Sequence, residues 1–227
     1  MARTRNPETH AVRRDAFVDV AQRLIQTKGY EQLSVQEVID AVDASKGGFY
    51  HYFDSKSDLL EAVIERMADG AAAAWSPILE DRRLTAQARL ERLFHSIAQW
   101  KSARKELVLA VLDAWLSDDN AVVREKLRAL VSRRIHPPLE AILREGIADG
   151  EFSVSDPTAT ADVLVALIAG LQERASGLFV GRQKGLLPLE LVERTFAAFT
   201  EAVERILGLP PGRLQLLEPG LIDEWFA

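Results

Sequence analysis

The stretch LSVQEVIDAVDASKGGFYHYFDSKSDLLEAV, Leu33–Val63, decides how the chain reads. Its opening, Ser34-Val35-Gln36-Glu37, has the spacing of a capping box. The Ser34 hydroxyl and the Glu37 carboxylate can each accept from the other's backbone N–H. Val35, Val38, Ile39 and Val42 then fall on one side of a short helix. Asp43-Ala44 reads as a tight turn, and Ser45 as the cap of a second short helix through Phe53. Gly47 and Gly48 stand inside that helix, where each glycine costs about 1 kcal/mol relative to alanine. Five rings follow: Phe49, Tyr50, His51, Tyr52 and Phe53. A second capping box, Ser55 to Asp58, opens a longer helix through Leu59, Leu60, Val63, Ile64 and Met67.

Working outward, Asn6-Pro7-Glu8 has a cap residue followed by proline at the first helical position. Phe17, Val20, Ala21, Leu24 and Ile25 mark one face of that first helix, which Gly29 ends. Three short helices, the last two joined by a tight turn, suggest a helix-turn-helix. In that motif the second helix of the pair enters the major groove by its N-terminal residues. Helical spacing puts Phe49, Tyr52 and Phe53 on the core side. Gly47, Gly48, Tyr50 and His51 fall on the other. Glycine permits close backbone approach. Tyr50 and His51 can bond phosphate oxygens, and Lys46 can reach phosphate or a base edge. A plain three-helix core with a glycine-weakened turn fits the same pattern, and periodicity leaves both readings open.

The block from about residue 10 to 65 resembles the N-terminal signature of the TetR/AcrR family of transcriptional regulators. The likeness rests on a hydroxyl residue opening the second helix, Ser-Lys-Gly, an aromatic pair closed by Phe, and Ser-Lys before a leucine pair. It implies an all-α homodimer. Residues 1–57 would form the helix-turn-helix DNA-binding domain, and 58–227 a helical domain for effector binding and dimerisation. The resemblance places Ser45, Lys46, Gly47 and Gly48 at the groove-facing start of the recognition helix. It makes Tyr50 and His51 a phosphate-contacting pair, Lys56 a phosphate contact, and Ser34 a cap that also touches the DNA backbone. The family often has glycine in the turn, where this chain has Asp43. Aspartate tolerates the left-handed conformation. Arg3 and Arg5 are candidates for a minor-groove arm on charge and position alone.

Beyond Pro77 the pattern predicts helices over about 85–101, 103–117, 120–135, 138–148, 157–178 and 189–207. Pro137-Pro138 is expected to break or kink the chain. The segment ATADVLVALIAGLQ is apolar or small nearly all round, which calls for burial on more than one side. A second subunit would supply one of those sides, though a core helix of a monomer reads the same way. The resemblance puts Phe94, His95, Trp100, Asp113 and Trp115, with Trp75 nearby, in the helices where the family keeps its effector pocket. Aromatic walls with few polar groups suit a small molecule, and core packing explains the same residues. Asp118 and Asp119 suit helix capping. The tail from Pro210 carries enough large apolar residues to dock on the body.

Composition narrows the rest. The net charge is −6, yet residues 1–57 hold eight basic and eight acidic residues, so the acidity lies in the remainder. A neutral head with a basic tip permits DNA binding without demanding it. With no cysteine, disulfides and thiolate metal sites are excluded. No signal core is evident and no run looks long enough to span a membrane, so a cytoplasmic protein is expected. No cofactor or metal motif appears, and nothing points to an enzyme. The expected function is a transcriptional regulator, a repressor released from a palindromic operator by a small-molecule effector. The alternative is an all-α dimeric adaptor without sequence-specific DNA binding.

Overall fold

The computed structural model describes residues 7–116 and 121–227, and every regular element among them is a helix. Two compact units emerge. The first comprises the chain through Gly70 together with Arg104–Leu127, and the second comprises Ala71–Ala103 with Arg128–Ala227.

In the first unit, α1 (Pro7–Lys28) buries Phe17, Val18, Val20, Ala21 and Ile25. Gly29 stops it with φ 82°, donating its N–H to Ile25 O at 2.8 Å. The next element, α2 (Val35–Ala41), starts with the expected reciprocal box. Glu37 N donates to Ser34 Oγ at 3.2 Å, and Ser34 N to Glu37 Oε2 at 2.9 Å. An ion pair from Lys28 to Glu37 ties the end of α1 to this cap. Asp43 takes the left-handed turn position with φ 51°, and Ala44 N closes the turn on Ile39 O at 3.0 Å. The following helix, α3 (Lys46–Tyr50), is shorter than the sequence suggests. It spans five residues, and the chain leaves the helix by His51.

The bridge to the body is α4 (Lys56–Glu80), which continues through Gly70 and Pro77. Its capping arrangement differs slightly from expectation. Asp58 N donates to Ser55 Oγ, but the Asp58 carboxylate accepts from Asp54 N at 3.0 Å rather than from Ser55. Two further helices are α5 (Ala86–Ser102) and α6 (Lys105–Leu116). The second of these packs on α1 and buries Leu107 and Val111 in the first unit. Asp118 and Asp119 lie outside the described residues.

The expected break at Pro137-Pro138 does not occur: α7 (Ala121–Ala148) runs through both prolines. Each interior proline costs a helix about 3 kcal/mol. Ile135, Leu139, Ile142 and Leu143 are buried around the pair, and each such side chain returns about 1.5–3 kcal/mol. The helix survives because its face is anchored on both sides of the prolines. Next come α8 (Pro157–Gln183), capped by Asp156, and α9 (Leu189–Leu207), closed by Gly208 at φ 71°. These pack together and carry α10 (Leu221–Phe226) against both.

The second unit's core joins Leu90 and Leu93, Leu139 and Leu143, Leu164, and Phe199, Val203 and Leu207. The tail docks as expected. Leu214 and Leu216 are buried, and Leu214 N and Gly212 N donate to the buried Glu204 carboxylate at 2.8 and 3.0 Å. One expectation is corrected here. By length and composition, α8 is apolar enough to cross a membrane, although only 11% of its most apolar window is buried in the single chain. A helix shared between two subunits meets the same test.

Candidate nucleic-acid interface

The site is built on rings. Phe49 and Phe53 are buried, and their ring centroids lie 5.6 and 6.1 Å from that of Phe17 on α1. Tyr52 is half-buried, 5.7 Å from Phe17 and 4.6 Å from His10. These contacts fix α3 by its inner side, as the spacing predicts. Ser45, Lys46, Gly47, Tyr50 and His51 are exposed, while Gly48 is partly covered. Ser45 Oγ accepts from Gly48 N at 3.0 Å, which satisfies one free amide of the short helix.

A cleft of about 360 Å³ opens between α1 and the start of α3. Ser45, Gly47, Gly48, His51 and Tyr52 line it on one side and Arg13 on the other. Arg13 is the residue that sequence reasoning passed over. It was visible only as part of the basic tip, and nothing in the chain's periodicity couples α1 to the recognition turn. His51 lies 5.6 Å from His10 and 5.1 Å from Tyr52, ring centroid to ring centroid.

The remaining candidates are not gathered into the cleft. Ser34 is exposed and occupied with capping. Lys56 stands at the start of α4, where its Nζ donates to Glu31 O at 3.2 Å and lies 4.3 Å over the Tyr30 ring. Burial raises the Tyr30 hydroxyl pKa, opposed by a bond from Ser57. That arrangement aims the Lys56 ammonium and spends one of its three donors. Arg3 and Arg5 lie outside the described residues. The Glu37 carboxyl is lowered to about 2, first by its bond from Lys28 and then by those from Ser34.

The described region Phe17–Val63 matches the sequence pattern of bacterial regulatory proteins of the tetR family. That N-terminal stretch is of the tetR-family type. Among its relatives, the transcriptional regulator AcuR of Cereibacter sphaeroides is 32% identical over 139 residues, 60% of this chain. That alignment spans 63% of AcuR, just under two thirds of its length. The transcriptional repressor KstR2 of Rhodococcus jostii is 25% identical over 150 residues, 62% of this chain and 68% of KstR2. A crystal structure of a protein from Rhodococcus sp., assigned to the TetR-family transcriptional regulators, superposes with a TM-score of 0.54 at 27% identity. The match covers 86% of this chain and 98% of that one. The matched stretch takes in part of α1 and all of α2 and α3, which form a helix-turn-helix. AcuR and KstR2 are both transcriptional regulators.

Of the effector candidates, Phe94 packs on Phe199 with centroids 6.0 Å apart, inside the body core. His95 Nε2 lies 2.7 Å from Gln215 O, tying α5 to the tail. Trp100 is half-buried. The side chains of Asp113 and Trp115 lie outside the described residues. No group of metal-ligating side chains occurs among the described residues.

Proposed function

We propose that the protein is a homodimeric, cytoplasmic repressor of transcription, released from a palindromic operator by a small-molecule effector. Residues 1–57 act as the DNA-binding part and 58–227 as the effector-binding and dimerisation part. The observation that carries this is the exposed Ser45–Gly48 tip with Tyr50 and His51, held rigidly from behind by Phe49 and Phe53. Ser45, Lys46, Gly47 and Gly48 face the groove. Tyr50, His51, Lys56 and Arg13 contact phosphates, with Ser34 at the edge. Few long polar side chains project from the tip. Specificity therefore leans on DNA shape as well as base contacts.

The dimer reading rests on α8. Val163, Gly170 and Gly177 recur every seven residues, and all three are exposed. A Cβ built at Gly170 or Gly177 meets nothing within 4 Å, so a second helix can approach closely there. A two-fold pair reads half-sites about 34–36 Å apart, or multiples of that spacing. Because α4 is continuous from Lys56 to Glu80, effector binding in the body moves the head through it. The effector must bind the DNA-incompetent state better, and operator and effector then antagonise each other reciprocally.

Selection of bound fragments from a random DNA pool tests the reading. A recovered palindrome, bound with an affinity that falls linearly in log salt, supports it. Recovery of no sequence, with dimerisation intact, favours the adaptor alternative.

A further inference from the structure

Near the end of α5, Lys101 Nζ donates to Gln172 Oε1 on α8 at 3.0 Å. That partner is neutral, and no ion pair to Lys101 occurs among the described residues. The side chain is partly enclosed, and burial pushes its ammonium pKa down. An ammonium withdrawn from water without a counter-charge is costly. Two other basic groups of the body do meet a carboxylate: Arg89 meets Glu145, and Arg128 meets Glu173 at 3.0 Å.

Its surroundings are amphipathic. Along α5, Phe94 and Ile97 precede Lys101 by seven and four residues, on one stripe. Along α8, Ile168 precedes Gln172 by four. Phe94, Ile97, Ile168 and Leu171 are all partly buried hydrophobics packed on the same core. Beside Lys101, Trp225 Nε1 donates to Ser102 Oγ at 2.9 Å, so the tail closes that end of α5. Gln172 accepts from Lys101 through Oε1, which leaves its amide N–H groups as donors.

We propose that Lys101 and Gln172 seat the carboxylate of an amphipathic organic acid, whose apolar part lies along Ile97, Phe94 and Ile168. This names the chemistry of the effector in the function proposed above, and it rests on that reading. The carboxylate supplies a counter-charge that no described residue gives Lys101, and the amide of Gln172 donates to its second oxygen.

The test uses the full-length dimer and straight-chain carboxylates from butanoate to dodecanoate, each against the alcohol of equal length. Calorimetric titration without DNA reads the site directly. At least one carboxylate binds the wild type, and its alcohol binds about tenfold or more weakly. Lys101→Met weakens that carboxylate by a similar factor, whereas Lys101→Arg retains it. Circular dichroism confirms that both variants fold, and failure of Lys101→Met to fold shifts the comparison to Gln172→Leu. No binding by any carboxylate, equal binding of acid and alcohol, or undiminished binding to the neutral variant would overturn the proposal. Operator binding is measured separately without ligand, so its absence marks failure of the regulator reading instead.

Discussion

A methyl group added at Gly146 would run into the Phe152 ring and stand 2.9 Å from Ala86 Cβ. One added at Gly181 would meet the Leu187 side chain. At Gly47 it would meet nothing within 4 Å, and at Gly48 only the Ser45 hydroxyl, at 3.2 Å. Gly146 and Gly181 in the body are required by their neighbours inside the chain. The head's pair is not, although each lowers the propensity of a five-residue helix. Internal packing therefore leaves Gly47 unexplained, and the proposed approach of the backbone to DNA would account for it. The same contrast separates Phe49, which holds α3 from within, from Tyr50, which is 47% exposed.

The comparison can be broken at several points. The largest effect is expected from Phe49→Ala, which empties the ring cluster on Phe17. Urea unfolding should show a loss of about 3–5 kcal/mol and, with it, loss of DNA binding. Gly146→Ala should cost the body about 1–3 kcal/mol through overpacking, while operator affinity per folded molecule stays unchanged. A smaller effect, about 1 kcal/mol, follows from Ser34→Ala, which removes one half of the capping box; thermal unfolding reads it.

Acid should act on the same cap. The Glu37 carboxyl is depressed from 4.5 to about 2. Its contribution is thus fully present above pH 4.5 and is lost as the pH falls towards 2. Because the group is exposed, the effect is small and screened by salt. Glu37→Gln should flatten that part of the acid-unfolding profile, and an unchanged profile would remove Glu37 from the account.

Much of the head was legible because its signals are local. Ser34 with Glu37, Asp43 and Gly29 each act within about one turn of chain, so spacing alone reports them. The rings divided correctly between core and surface for the same reason. The length of α3 was not legible, since five residues do not establish a period. In the body, Pro137-Pro138 reads as a break when taken locally. What keeps α7 whole is burial of Ile135, Leu139, Ile142 and Leu143 by partners distant in sequence. Arg13 and Lys101 escaped notice for a related reason. Each acquires its meaning from a second helix, α1 against α3 in one case and α5 against α8 in the other.

The most direct test of the glycine contrast is Gly47→Ala, measured for both stability and operator affinity. The methyl has room in the protein and favours the helix. Stability should hold or rise by up to about 1 kcal/mol, while affinity for the selected operator should fall by about tenfold, or 1.4 kcal/mol. Unchanged affinity in a variant of equal or greater stability would contradict the claim that Gly47 is kept for the approach to DNA.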